Sequence, residues 1–329
     1  MGSKLAPGPR VPRRDQQIDL ASDLEQRIGR THANVRLGIE RDHDAQIFGQ
    51  GTNFFHIENW YSGHSLLRKA LKATGLFWVG RRNAARVVVR ENVVVSSKIP
   101  RDFEGFRILH ISDLHTELSS EAMSHAALML RRLSFDVCVI TGDFRALTYG
   151  PYEKAIRDTE AFCRDIKQPI YAVLGNHDSI LMVPELERFG MSVLLNEALS
   201  LQSDTSDDHI MLAGVDDAHY FRAENLEKAS ADIEPDVFSV LLSHTPEIYR
   251  RAAHCGFDLM LSGHTHGGQI CLPGGFAMKL NAVIPRHLGA GKWTFNDMQG
   301  YTSTGLGTSI VPVRFSCPPE LVVHTLKSA

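Results

Sequence analysis

Leu261-Ser-Gly-His-Thr-His-Gly-Gly-Gln-Ile270 is the stretch on which the reading of this chain turns. An apolar run ends at Leu261, and two histidines one residue apart come next, between glycines. In an extended segment residues i and i+2 point to the same side, so His264 and His266 face one small target. Two imidazoles aimed at one place suggest a metal. Two ligands do not make a site, and the others must come from elsewhere in the chain.

Working back from this stretch to Phe106, apolar runs alternate with helical patterns. FRILHIS from Phe106, DVCVIT from Asp136, PIYAVLG from Pro169, HIMLAGV from His209, VFSVLLS from Val237 and DLMLS from Asp258 read as buried strands. Between them lie an amphipathic run from Ser119 to Leu133, a helix from Pro151 to Ile166 and a short helix opening at Thr245 or Pro246. Strands alternating with helices predict an α/β sandwich with helices on both outer faces, and the C-terminus is strand-rich. In such sheets a binding site forms beyond the carboxyl ends of the strands.

The residues just past each strand carry the chemistry. Ser112-Asp-Leu-His115, Gly142-Asp143, Gly175-Asn-His-Asp178, Ser243-His-Thr-Pro246 and Ser262-Gly-His-Thr-His-Gly267 sit at five strand ends. Any one of them is ordinary turn chemistry, but five in this order form a donor set. Carboxylate, imidazole and one amide oxygen suit Mn²⁺, Fe, Zn²⁺ or Co²⁺ better than Ca²⁺. Asp113, His115, Asp143, Asn176, His244, His264 and His266 are too many ligands for one ion with open positions. With one bridging carboxylate they serve two. His110, His125 and His324 read instead as satisfied core or surface histidines.

These motifs together resemble the full metal-motif set of the calcineurin-like metallophosphoesterases, over roughly residues 106–329. The resemblance implies a four-layer αββα sandwich with an N-terminal extension and a dinuclear centre. It places Asp113, His115, Asp143 and His266 on one ion, and Asp143 (bridging), Asn176, His244 and His264 on the other. It also implies that a metal-bridging hydroxide breaks a P–O bond, with His177 protonating the leaving oxygen and Asp178 orienting that imidazole or simply capping the turn. The tail, with GHTHGGQI, Gly305-Leu-Gly-Thr-Ser and Pro312-Val-Arg-Phe, resembles the bacterial YkuE/YaeI-like phosphodiesterase branch. That branch implies an envelope-linked substrate, a related group hydrolysing the pyrophosphate of UDP-2,3-diacylglucosamine in lipid A synthesis. Arg314, Asp216 and Gln269 are candidate substrate contacts. A phosphomonoesterase, a nuclease or a metal-free scaffold would share the same frame.

Composition sets bounds on the rest. The chain has 329 residues, 43% apolar and 22% charged, with a net charge of −3. That is globular, and it argues against a nucleic-acid partner. Five scattered cysteines with no CxxC pair indicate neither a disulfide framework nor a zinc ribbon, and suit a reducing compartment. Residues 1–40 lack sustained periodicity and an apolar leader core, so they read as disordered, with a short helix around Leu20 to Ile28. Residues 41–105 read as a basic, aromatic extension, in which Ser65 to Arg90 carries seven Arg or Lys and no acid. One helical stripe over Leu67, Leu71, Thr74 and Trp78 admits packing on the domain or docking on an anionic membrane. The expected location is cytoplasmic, or peripheral on the inner face of the membrane.

Overall fold

The computed structural model describes residue 22, residues 24–42 and residues 61–329. The readings for residues 1–21 and for the aromatic stretch around residues 48–60 lie outside the described residues. Two six-stranded sheets form the centre. The first contains β1 (Val88–Ser96), β2 (Arg107–Ile111), β3 (Val137–Thr141), β4 (Ile170–Val173), β5 (Met191–Val193) and β14 (Glu320–Ser328). The second contains β6 (Glu197–Gln202), β7 (His209–Gly214), β8 (Ser239–Leu242), β9 (Leu259–Ser262), β12 (Gly291–Phe295) and β13 (Met298–Thr302). Their orders are β1-β14-β2-β3-β4-β5 and β12-β13-β9-β8-β7-β6. A small hairpin of β10 (Cys271–Leu272) and β11 (Phe276–Ala277) stands apart from both sheets.

The period of two along each strand builds the layers. Ile108, Val137, Val139 and Val173 face Leu212, Val240, Leu242 and Leu259 in the core between the sheets. The alternate residues of the first sheet, Leu109, Ile111, Cys138 and Ile140, face Ala122, Met123, Ala126, Ile156 and Phe162 of the covering helices. Ala213, Leu241 and Met260 do the same toward Leu226, Ile248 and Ala252 on the other side. Strands buried on both faces read as continuous apolar runs, which is why β3 is buried at all five positions. The molecule is thus the expected four-layer αββα sandwich. The parallel runs β2-β3-β4 and β7-β8-β9 bring six carboxyl ends to one edge.

The organisation before Phe106 departs from expectation in three places. The disorder expected over 1–40 does not hold for its described part. Helix α1 (Arg30–Asp42) packs on the sandwich, and Leu24, Ile28 and Ala33 are fully or almost fully buried. Few apolar residues mark this helix, because its anchor is the buried Arg36, a side chain that hydropathy reads as surface. The sandwich begins at Val88 rather than at 106. Strand β1 pairs parallel with β14 from Val88↔Glu320 to Ser96↔Ser328. The basic helix is two helices, α2 (Tyr61–Ala73) and α3 (Leu76–Ala84), broken at Gly75, where φ is +74°. Leu71 and Phe77 pack against Val311 and Val313. Leu66, Trp78 and Val79 are 69%, 64% and 51% exposed.

Candidate metal centre

All seven expected ligands lie at the carboxyl edge where the two sheets meet. Asp113 and His115 follow β2, Asp143 follows β3 and Asn176 follows β4. His244 follows β8, and His264 with His266 follows β9. Three of the five loops, those after β2, β3 and β9, bend sharply as they leave their strands. Asp113, His115, Asp143, His264 and His266 all have positive φ, between +39° and +68°. Left-handed backbone is uncommon for residues with a Cβ, and such strain gathers at functional sites. Here it turns these five side chains inward across the sheet edge.

Two clusters result. Asp113, His115, Asp143 and His266 form one, and Asp143, His244 and His264 the other, with the donor atoms of each within 4.8 Å of one another. Asp143 Oδ2 lies between them, 3.5 Å from His115 Nε2 and 3.4 Å from His244 Nε2. In the first cluster His115 Nε2 stands 3.1 Å from His266 Nε2, which is 3.4 Å from Asp113 Oδ1. In the second, His244 Nε2 stands 3.0 Å from Asn176 Oδ1 and 3.2 Å from His264 Nδ1.

The hydrogen bonds around the rings show what these spacings mean. His115 Nδ1 donates to the Arg145 carbonyl (2.8 Å), His244 Nδ1 to the Thr141 carbonyl (2.7 Å) and His264 Nε2 to the Asn281 carbonyl (2.7 Å). A carbonyl can only accept, so in each neutral ring the opposite nitrogen carries a lone pair, and that nitrogen faces its cluster. Once His244 has given up the proton on Nε2, the lone pairs and oxygens that converge at 3.0–3.5 Å repel unless a cation lies between them. Ligands about 2.1 Å from an ion and at right angles stand about 3 Å apart. The donor set fits two divalent ions that share Asp143.

Electrostatics agree. Burial disfavours charge on Asp143, yet His244, His177 and His115 outweigh it and hold this carboxyl well below the usual range. Burial pushes Asp113 up, only partly offset by His244 and His115. Burial also keeps His264 and His266 neutral. His244 is raised to about 10, because Asp143 and Asp113 outweigh its burial. Metal binding at this position would therefore expel a proton.

The expected reacting groups divide. His177 lies at the rim, with Nε2 4.0 Å from Asp143 Oδ2 and burial lowering it to about 4. Asp178 does not orient it. The Asp178 carboxylate accepts from the amides of Asp143 (2.8 Å), Phe144 (2.9 Å) and Gly175 (2.8 Å), which caps the turn. The partner of His177 Nδ1 is the Thr148 hydroxyl at 3.2 Å, a contact that no local motif announces.

The three candidate substrate contacts are also placed otherwise. Arg314 is fully buried and donates to the carbonyls of Thr304, Gly305, Gly307 and Cys317, with His266 Nδ1 3.4 Å away. Asp216 is fully buried against Arg36. Gln269 bonds the backbone at Ser309 and Val311. All three are framework. Sequence reading missed His219, whose ring centroid lies 4.1 Å from that of His264 and whose Nδ1 meets Glu247 at 2.7 Å. Asp216, three residues before it, is a candidate in the sequence, but only the fold brings His219 to the site.

Comparisons with known proteins point the same way. The sequence profile of the calcineurin-like phosphoesterases matches residues 106–268. The uncharacterized metallophosphoesterase YkuE of Bacillus subtilis is 28% identical over 278 residues, which are 80% of this chain and 94% of that protein. The uncharacterized protein YpbG of Bacillus subtilis is 31% identical over 230 residues, 67% of this chain and 80% of that protein. The UDP-2,3-diacylglucosamine pyrophosphatase LpxG of Chlamydia trachomatis is 26% identical, over 78% of this chain and 94% of its own length.

Proposed function

Since the chain belongs to the calcineurin-like metallophosphoesterases, and is thereby a metal-dependent phosphoric ester hydrolase, we propose that it is a phosphodiesterase or pyrophosphatase acting on a lipid-linked or nucleotide-linked phosphoester. The observation that carries the site's chemistry is the pair of buried Asp/His clusters sharing Asp143. Asp113, His115, Asp143 and His266 would hold one divalent ion, and Asp143, Asn176, His244 and His264 the other. Manganese is our first choice, on the carboxylate and amide oxygens of the set, with iron, zinc or cobalt as the alternatives that its imidazoles suit. Two such ions would supply Lewis acidity toward the phosphoryl oxygens and an activated water near neutral pH.

The protein's own groups do the remainder. The buried loops exclude bulk water and fix the ligand atoms before substrate arrives. His177, at the rim and 13% exposed, is the group placed to pass a proton to a departing alkoxide. Its ring is uncharged in the protein alone, and an anionic ester beside it raises its proton affinity. Thr148 sets which way the ring faces.

The likeness to LpxG along almost its whole length supports a diester or pyrophosphate over a monoester. Helices α2 and α3 support a lipid-linked substrate. They keep Leu66, Leu76, Trp78 and Val79 exposed among the exposed Arg68, Lys69, Lys72, Arg81 and Arg82. An apolar face set in basic residues fits an anionic bilayer surface. Arg314 links these helices to the centre, since its amide donates to the Gly80 carbonyl (2.9 Å) while its side chain reaches His266. Among the described residues no helix is long and apolar enough to cross a membrane.

A hydrolysis panel with added Mn²⁺ tests the reading. It comprises an aryl phosphodiester, an aryl phosphomonoester, a cyclic nucleotide, single-stranded DNA and UDP-2,3-diacylglucosamine. Turnover of the diester or the lipid-linked pyrophosphate is expected; preference for the monoester or DNA would overturn the substrate class. Co-sedimentation with anionic liposomes at low salt, lost in Trp78→Glu, is the matching test of the surface. Equal recovery of both proteins in the pellet would refute it.

A further inference from the structure

We propose that Arg36, on helix α1 and outside the stretch matched by the family profile, is a positioning residue for His177. Its guanidinium ties the loop that carries His177 to the loop that carries His219, and so spans the two sheets. This rests on the role given to His177 above.

The site is assembled from loops of different sheets, and something has to fix their spacing. His177 follows β4 of the first sheet, while Asp216 and His219 follow β7 of the second. Arg36 is fully buried between them. Its Nη2 donates to the Asp178 carbonyl at 2.8 Å, its Nε pairs with Asp216 Oδ2 at 3.2 Å, and its Nη1 meets Glu40 Oε1 at 2.7 Å. The guanidinium carbon lies 3.2 Å from the Phe221 ring centroid. One turn further along the helix, Glu40 accepts from the Ile180 amide at 2.8 Å and from the Ser179 hydroxyl.

Helix α1 therefore grips three successive residues, Asp178, Ser179 and Ile180, directly after His177. The same Asp178 gathers the amides of Asp143 and Gly175. Displacing it moves the turn on which His177 stands.

Stability alone is a poor account of this arrangement. A buried ion pair contributes little net free energy against an apolar replacement, but it fixes geometry. Arginine suits the task because its rigid fork serves several partners in one plane, which the single ammonium of lysine cannot do.

The experiment compares Arg36→Lys, Glu40→Gln and His177→Ala with the parent. The readouts are the metal content, the turnover of an aryl and an alkyl phosphodiester, and hydrogen exchange of residues 176–182 with and without chelator. A misplaced proton donor hurts the alkyl ester, whose leaving group needs the proton, and spares the aryl ester. Arg36→Lys is expected to keep its metals and to lose about ten-fold more alkyl than aryl turnover, a fraction of the roughly 10²–10⁴-fold that general acids supply. KM should change little, and the amides of 178–181 should exchange faster even in chelator. Glu40→Gln should show the same pattern more weakly, and it decides the matter if the Arg36 variant does not fold. Equal loss on both esters with unchanged exchange would overturn the proposal. If His177→Ala itself fails to discriminate between the esters, the functional reading falls and this inference with it. If His177→Ala discriminates and neither of the other variants does, the Arg36 inference alone is wrong.

Discussion

At the scale of single residues, the site is a set of side chains whose partners decide their roles. His219 and Glu247 show how this becomes a pH dependence. Burial works to lower His219, but the bond to Glu247 and the nearby Asp217 raise it above 6.5. Burial works to raise Glu247, but His219 holds it below 4.5. The raised histidine stabilises the fold fully below 6.5 and loses that contribution as pH rises through its folded value. The lowered glutamate stabilises above 4.5 and loses its part as pH falls. The pair therefore contributes most between about 4.5 and 6.5. In chelator, His219→Gln should lower the denaturation midpoint most near about pH 5.5 and progressively less above about pH 8; a loss independent of pH would contradict the pairing. The residue scale was also where sequence reading reached its limit. Every residue of the two Asp/His clusters, and Asn176 beside them, was legible, because each sits in a short motif at a strand end. Arg314, Asp216 and Gln269 are bound by the framework, Asp178 takes the turn-capping role of the two it was given, and Thr148 and His219 were missed, because a motif does not show what a side chain will touch.

At the scale of elements, the centre depends on how closely strand-end loops approach one another. Two motif glycines make close contacts with ligand side chains. A Cβ on Gly263 would meet Ser112 Oγ at 1.8 Å and Asp113 Oδ2 at 2.3 Å, and one on Gly175 would meet Asp143 Oδ1 at 2.3 Å. Contacts that short force the ligand to move. Gly263→Ala is expected to fold, because only the site edge is strained, yet to lose at least about ten-fold in affinity for the ion held by Asp113, the lower end of what even outer-shell changes cost. Calorimetric titration with Mn²⁺ checks this, and unchanged affinity would mean that the loop yields freely. Strands that are continuous apolar runs and helices with a clean period of 3.6 were read at nearly their true positions. Strand β1 was not, because its burial alternates only weakly and its partner β14 lies over 200 residues away. Helix α1 was not, because its anchor is a charge rather than an apolar stripe.

For the whole molecule, the sandwich is a frame that points two sheets at one line of candidate metal ligands, with α1 and α2–α3 packed beside it. The fold class came from the order of strands and helices, whereas how the N-terminal segments pack depends on long-range ion pairs that local pattern does not encode. Folding and metal binding should be linked across this frame, since the seven candidate ligands come from five loops and have no preformed site in the unfolded chain. Removing the ions should lower the melting temperature. At metal concentrations about a hundred times Kd, each site adds about 2.7 kcal/mol.

The central claim is that Asp143 is shared by two ions. Metal analysis of the purified parent and of Asp143→Ala, after equilibration with Mn²⁺ and removal of free metal, tests it most directly. The account predicts two ions per chain in the parent and none, or weakly held traces, in the variant, because both clusters lose a common ligand. One ion per chain in the parent, or a variant that keeps one ion at full occupancy, would contradict it.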